Sequence, residues 1–172
     1  KIKCVILKHN KIKEKMTYAE EMDYLVSKES RNNFILDLCN TINGNTLCLF
    51  QLVEKHGKIL YNGMKEKENV YFVYGGTDTD QREKIRGLVE GHNRSTTIAS
   101  YGTFSTGINI RNINNIVLAS PSKSKIRVLQ SIGRGLRTSS TKDSILVYDI
   151  ADDISYNERR NFTLNHFTER LN

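Results

Sequence analysis

Short apolar runs that alternate with helical patterns constrain the fold of this chain more than any other feature. These runs cover residues 46–50, 70–74, 96–100, 114–120 and 144–150, and an earlier strand pattern covers residues 2–8. Strands joined through crossover helices run parallel and are buried on both faces of their sheet. The pattern therefore predicts an α/β domain with a mostly parallel central sheet. In such sheets ligands bind beyond the carboxyl ends of the strands.

Helical spacing and capping signals predict the segments between these strands. Thr17 and Glu20 form a capping box at the start of the first helix. The expected helices cover residues 17–27, about 30–42, about 53–65 and about 79–90, and an amphipathic helix is expected within the tail. The prediction is one domain, divided into an N-terminal strand and helices (1–45), an α/β core (46–150) and a C-terminal helix (151–172).

Composition restricts the class of protein and its partners. The chain has 172 residues with 26 Lys and Arg against 19 Asp and Glu, so its net charge is +7, which suits a polyanionic partner. Its three cysteines show no C-x-x-C spacing, and this predicts neither a disulfide framework nor a metal site. No apolar run approaches the ~20 residues of a membrane span. We therefore expect a soluble, cytoplasmic protein.

The segment from Lys125 to Arg137 places two kinds of residue on neighbouring stripes of a helix. The apolar stripe can bury against a sheet, and the other stripe holds Gln130, Arg134 and Arg137. Two arginines three residues apart repel each other, but a phosphate shared by both guanidinium groups would turn that repulsion into binding energy. The alternative is a solvated basic face on an ordinary helix.

Hydroxyl groups and glycines are concentrated from Ser100 to Ile110, directly after a predicted strand. Exposed amides and hydroxyls at a strand end can cradle the phosphates of a nucleotide or of a nucleic-acid backbone. The alternative is a tight connection between strands that uses ordinary turn residues.

These two segments resemble motifs of the superfamily 2 helicases. Residues 130–137 match motif VI, Q-x-x-G-R-x-x-R, and residues 100–110 resemble motif V, with Asn109 where aspartate is commoner. Both occur in family order with the apolar run 114–120 between them. Residues 46–50 resemble motif IV, and Tyr74-Gly75-Gly76 followed by Arg82 resembles motif IVa. The stretch 104–137 is most similar to the UvsW-type DNA helicases of phages.

The resemblance implies a fold and a set of site residues. The implied fold is the RecA-like three-layer sandwich of the second, C-terminal motor domain of a helicase. Arg134 and Arg137 would act as arginine fingers towards the γ-phosphate of ATP, and Gln130 would hydrogen-bond the phosphate or a nearby water. Gly107 and Asn109 would line the same nucleotide cleft. The residues implied to grip the phosphates of one DNA strand are Gln51, Gly75, Ser100 and Thr103.

Two nucleotide-binding motifs are absent from the sequence. It contains neither the phosphate-binding loop G-x-x-x-x-G-K-[ST] nor a D-E-x-[HD] motif. We therefore expect the Mg²⁺ of ATP to be held by a first RecA-like domain of the same protein, and the isolated chain to be inactive. The resemblance further implies action on DNA, including branched DNA, in phage recombination and repair.

Two other classes of function compete with this interpretation. One is a nucleic-acid-binding module without a role for ATP, which would leave the spacing of Gln130, Arg134 and Arg137 unexplained. The other is a different sheet-based nucleotide-binding enzyme. The absence of G-x-G-x-x-G and of a pair of catalytic carboxylates argues against it.

Overall fold

The structure is a computed structural model that describes residues 1–105, 110–121 and 144–171. These residues form a six-stranded sheet in the order β1-β6-β5-β2-β4-β3, and each neighbouring pair of strands is parallel. The strands are β1 (Ile2–Lys8), β2 (Asn45–Phe50), β3 (Val70–Val73), β4 (Ser95–Ser100), β5 (Asn115–Leu118) and β6 (Leu146–Asp153). The predicted parallel sheet is confirmed.

Helices cover both faces of the sheet. They are α1 (Tyr18–Ser27), α2 (Glu29–Thr41), α3 (Lys58–Met64), α4 (Thr79–Glu90), α5 (Tyr101–Ser105) and α6 (Phe162–Leu171). The predicted capping box is confirmed, because the Glu20 N–H donates to Thr17 Oγ1 at 3.2 Å and the Thr17 N–H donates to Glu20 Oε2 at 2.9 Å.

The third predicted helix differs from expectation in its first turn. Residues Val53–Gly57 form a π-helical turn, and only Lys58–Met64 are α-helical. The amides of His56 and Gly57 both donate to the carbonyl of Leu52, at 3.1 and 2.9 Å. Apolar periodicity reports which residues face the sheet, and it does not distinguish a π turn from an α turn.

Two apolar layers hold this architecture together. On one face, Ile85 and Val89 of α4 pack against β2, β3, β4 and β5, and on the other face Ile35 of α2 and Leu60 of α3 pack against the sheet. Every residue of β2 and of β4 is buried, as expected for strands that helices cover on both faces. The edge strand β1 is mostly exposed, with Ile2 at 59%. The result is a three-layer α/β/α sandwich.

Close packing of the π turn against β2 gives a testable difference between two glycines. A Cβ atom added at Gly57 would come within 2.5 Å of the ring of Phe50, which is fully buried. Gly57→Ala should therefore lower the free energy of unfolding by about 1–3 kcal/mol through overpacking. Gly87→Ala should raise it by up to about 1 kcal/mol, because Gly87 lies in α4 with open space around it.

Urea unfolding of the purified chain, followed by circular dichroism, measures both variants. Equal stabilities for Gly57→Ala and Gly87→Ala would show that the contact with Phe50 relaxes without cost.

Candidate functional site

The carboxyl ends of four neighbouring strands lie side by side along one edge of the sheet. The strand register ends with Leu118 beside Leu49, Ser100 beside Phe50, and Val73 beside Ala99. Continuing that register by one or two residues places Ser120, Gln51, Tyr101 and Gly75 at the same level. The exposed residues at this level and just beyond it are Gln51, Gly75 and Gly102, and we call these three the strand-end row. Because neighbouring strands lie about 4.8 Å apart, the four strand ends together extend over about 14 Å.

The turn that contains Gly75 is held rigidly by its own polar groups. The Tyr74 N–H donates to Thr77 Oγ1 at 3.1 Å, and the Thr77 N–H donates to the Tyr74 carbonyl at 3.0 Å. Arg82 donates from Nε to the Thr77 carbonyl at 2.8 Å and from Nη2 to the carbonyls of Tyr74 and Gly75 at 3.2 and 3.1 Å. Gly75 itself is exposed, and a Cβ atom added there would meet nothing within 4 Å. A ligand can therefore approach this backbone closely.

The two hydroxyls predicted to bind phosphate after β4 point into the protein. Ser100 Oγ and Thr103 Oγ1 lie 2.6 Å apart, and the two residues are only 8% and 3% exposed. Gly102, between them, is exposed and has open space around its α-carbon. At the start of α5 the Gly102 backbone therefore faces the solvent. The hydroxyl pair lies on the inner side of this backbone.

Gln51 uses its backbone and its side chain differently. Its N–H donates to Ser120 Oγ at 3.1 Å, so this amide is engaged inside the protein. Its side chain is exposed. The side-chain amide of Gln51 is therefore the group that can reach a ligand at the strand-end row.

A chain of buried hydrogen bonds runs behind the row. Asn32 Nδ2 donates to the Val26 carbonyl at 2.8 Å, which leaves Asn32 Oδ1 as an acceptor, 3.0 Å from His56 Nε2. His56 Nε2 must then carry the proton, so Nδ1 accepts the hydroxyl hydrogen of Ser120 at 2.7 Å. Ser120 Oγ in turn accepts the N–H of Gln51. Each donor in this chain meets an acceptor only when His56 is neutral.

Tyr101, which follows the neighbouring strand β4, joins this network. Its hydroxyl donates to the Ser120 carbonyl at 2.9 Å, inside the protein. Burial raises the pKa of the Tyr101 phenol above its ordinary value, so this hydroxyl remains a donor. Ser120 thereby connects the ends of β2 and β4 through its hydroxyl and its carbonyl.

A second buried network begins one residue before Asn32. Arg31 Nε and His9 Nε2 each lie 2.8 Å from Asp152 Oδ1, and the side chains of Arg31 and Asp152 are fully buried. Burial favours the neutral form of Asp152, but Arg31 and His9 outweigh it and lower the pKa of this carboxyl group. Two adjacent residues of α2 therefore hold four strand ends: Arg31 holds the ends of β1 and β6 through Asp152 and His9, and Asn32 holds the ends of β2 and β5 through His56.

The helicase conserved C-terminal domain family matches residues 15–139. The chain belongs to that family. The ATP-dependent DNA helicase uvsW of Enterobacteria phage T4 is 35% identical over 190 residues, covering 99% of this chain and 38% of the phage protein. The putative ATP-dependent helicase IRC3 of Saccharomyces cerevisiae is 31% identical over 102 residues, covering 59% of this chain and 15% of the yeast protein.

A solved structure confirms the fold of this helicase domain. The crystal structure of T4 UvsW matches it with a TM-score of 0.87 at 32% identity, covering 99% of this chain and 38% of that one. The predicted RecA-like fold and the predicted resemblance to UvsW-type helicases are therefore confirmed. The helicase domain spans less than half the length of these relatives.

The five residues predicted to act on the nucleotide lie outside the described residues, so their roles stay predictions. They are Gly107, Asn109, Gln130, Arg134 and Arg137. Within the described ranges of the helicase domain, no group of three or more His, Cys, Asp or Glu side chains could hold a metal ion. No helix in these ranges is long and apolar enough to cross a membrane.

The buried residues behind the strand-end row were missed by sequence reasoning. His56 falls inside a predicted helix, where a single histidine has no pattern that points to a site. Ser120 is the last residue of an apolar run, and a small polar residue at that position is the only signal that could have drawn attention to it. Arg82 belongs to the segment that resembles motif IVa, and its guanidinium group donates to backbone carbonyls of the Gly75 turn.

The burial of His56 makes the stability of the helicase domain depend on pH. Burial, assisted by the positive charge of Arg31, lowers the pKa of His56 from 6.5 to about 3. Below about pH 6.5, His56 therefore binds a proton in the unfolded chain but stays neutral in the folded domain. We expect the free energy of unfolding to fall by up to about 1.4 kcal/mol per pH unit as the pH drops through this range.

His56→Gln tests this expectation, because glutamine does not titrate. This variant should lose about 1–3 kcal/mol at pH 7 through unsatisfied partners, and its stability should vary less with pH between 6.5 and 4. Urea unfolding across that range measures both slopes. Asp152 is retained in the variant, so its contribution cancels in the comparison. Identical slopes would show that His56 is not the group that titrates.

Proposed function

We propose that this domain is the C-terminal motor domain of an ATP-dependent DNA helicase or translocase that remodels branched DNA in phage recombination and repair. The phage relative is an ATP-dependent DNA helicase, and its 35% identity over nearly the whole chain supports the class of activity. The observation that carries the proposal is the strand-end row, which gathers three separate chain segments along one edge of the sheet.

In this proposal the strand-end row grips the backbone of one DNA strand. The side chain of Gln51 and the open backbone at Gly75 and Gly102 are neutral groups that suit phosphate or sugar oxygens and ignore base identity. Ser100 and Thr103 support the Gly102 backbone from inside, and their hydroxyls would contact DNA only after rearrangement of α5. The net charge of +7 adds a long-range attraction to the polyanion.

The nucleotide half of the proposal rests on the motif VI and motif V residues. Arg134 and Arg137 would stabilise the developing charge on the γ-phosphate, and Gln130 would order the phosphate or a water. Gly107 and Asn109 would line the same cleft. A first RecA-like domain of the full protein would bind ATP with Mg²⁺, so this chain alone would not hydrolyse ATP. Closure of the two domains on ATP and their opening after hydrolysis would then advance the grip along the strand.

The Gly75 turn allows a direct test of the backbone grip. Gly75→Ala places a methyl group where a phosphate would approach, without a clash inside the protein. We expect the affinity for single-stranded DNA to fall about tenfold, the loss of one charge-assisted hydrogen bond. Fluorescence anisotropy with a labelled oligonucleotide at several salt concentrations measures this affinity. The matched control is Gly87→Ala, which should bind like the wild type.

Wild-type binding in this assay should weaken steeply as salt rises and should not depend on base sequence. Sequence-selective binding that salt does not weaken would contradict a backbone grip. Unchanged affinity in Gly75→Ala would remove the Gly75 turn from the interface.

The arginine fingers need the full protein for their test. Arg134→Ala or Arg137→Ala should lower kcat for ATP hydrolysis by at least ~10²-fold, because a finger stabilises charge in the transition state. Arg137→Lys should rescue poorly, since an ammonium group cannot reproduce the planar fork of a guanidinium. Affinity for DNA without nucleotide should barely change. Circular dichroism and melting exclude misfolding.

The opposite result would favour the competing function. If both alanine variants hydrolysed ATP normally but failed to bind DNA, the motif VI segment would be a DNA-binding face. The domain would then be a nucleic-acid-binding module without a role for ATP.

A further inference from the structure

Ser120 occupies a central position behind the strand-end row. It is 0% exposed and makes three hydrogen bonds: its hydroxyl with the Gln51 amide and the His56 imidazole, and its carbonyl with the Tyr101 phenol. Gln51 follows β2, Tyr101 follows β4, and Ser120 itself follows β5. A single buried residue therefore fixes the relative positions of three strand ends.

We propose that Ser120 and His56 are positioning residues that couple the nucleic-acid grip to ATP hydrolysis. This inference rests on the proposed function, in which the loops after β2 and β4 contact DNA and the segment after β5 leads to the arginine fingers. A DNA contact that presses on Gln51 or on the start of α5 is transmitted to Ser120 through hydrogen bonds of 3.1 and 2.9 Å. Ser120 is followed directly by Pro121 and the segment that carries Gln130, Arg134 and Arg137.

The chemistry of both residues suits this role. A serine hydroxyl donates one hydrogen bond while accepting another, and here it does both, towards His56 Nδ1 and from the Gln51 N–H. A neutral imidazole likewise presents an acceptor on one side and a donor on the other. His56 therefore links Ser120 to Asn32 of α2 over 2.7 and 3.0 Å. Reversal of either group would orphan a buried donor, so the chain has a fixed direction.

The π-helical turn supplies the geometry. With the amides of His56 and Gly57 both bonded to the Leu52 carbonyl, the turn holds an extra residue and directs the His56 ring into the protein, where it is 0% exposed. π turns are less favourable than α turns and are frequent at functional sites. Both nitrogens of the buried His56 ring have partners, so the orientation of the ring between Ser120 and Asn32 is fixed.

The test uses the full-length protein and measures ATP hydrolysis without DNA and over a titration of single-stranded DNA. The variants are Ser120→Ala and His56→Phe, which remove the hydrogen bonds and keep most of the buried volume. The matched control is His92→Gln. His92 is a partly buried histidine that also has a hydrogen bond of 2.7 Å, to Tyr71, but it precedes β4 at the opposite edge of the sheet.

We expect both variants to lower the ratio of DNA-stimulated kcat to basal kcat about tenfold, and the control to keep the wild-type ratio. The DNA concentration that gives half-maximal stimulation should change less than this ratio, because the groups that contact DNA are still present. A merely structural role would lower basal and stimulated rates together, since both scale with the fraction of folded protein.

Three results would overturn the inference. The first is a wild-type ratio in Ser120→Ala and His56→Phe, and the second is an equal fall of both rates together with the melting temperature. The third is a loss in His92→Gln that matches the loss in the two variants. A wild-type protein whose hydrolysis DNA does not stimulate would instead overturn the proposed function, and the inference with it.

Discussion

The arrangement of the carboxyl edge of the sheet depends on a buried chain of hydrogen bonds, in which Asn32, His56 and Ser120 satisfy one another where water does not reach them. Adjacent residues of α2 serve two networks: Arg31 holds Asp152 between itself and His9, and Asn32 holds His56. An unpaired member would cost more free energy than its hydrogen bond contributes. The loops of the site are therefore built on an interior that tolerates few alternative positions.

The sequence predicted the parts of the fold that follow from local patterns. The bounds expected for α4 agree with Thr79–Glu90, and the capping box at Thr17 is present, because both depend on residues a few positions apart. The strand order depends on packing between distant segments, which no local pattern encodes. The hydroxyls of Ser100 and Thr103 were expected to face a ligand, but they bond each other at 2.6 Å, and composition alone cannot report direction.

The exposed groups of the strand-end row are neutral, and this has a consequence for how such a domain could move along DNA. In the proposed function, long-range attraction would come from the charge of the whole chain, which would hold the polyanion nearby without fixing its position. Short contacts from glycine backbone and an amide side chain would fix its position weakly and in a sequence-independent way. A grip of this kind can be released and re-formed at every step, which a cluster of direct ion pairs would resist.

The pairing of β1 with β6 affects how the chain can be made. The backbone nitrogen of Lys1 donates to the carbonyl of Ile145, which lies 144 residues later, and β1 runs in register with β6 from there onwards. At 5–20 residues per second, a ribosome needs on the order of ten seconds to deliver the partner of the first strand. During that interval Ile2 and Ile6 have no sheet to join. Within this domain, the strand that is synthesised first must therefore be among the last to find its place, and the sheet cannot close from β1.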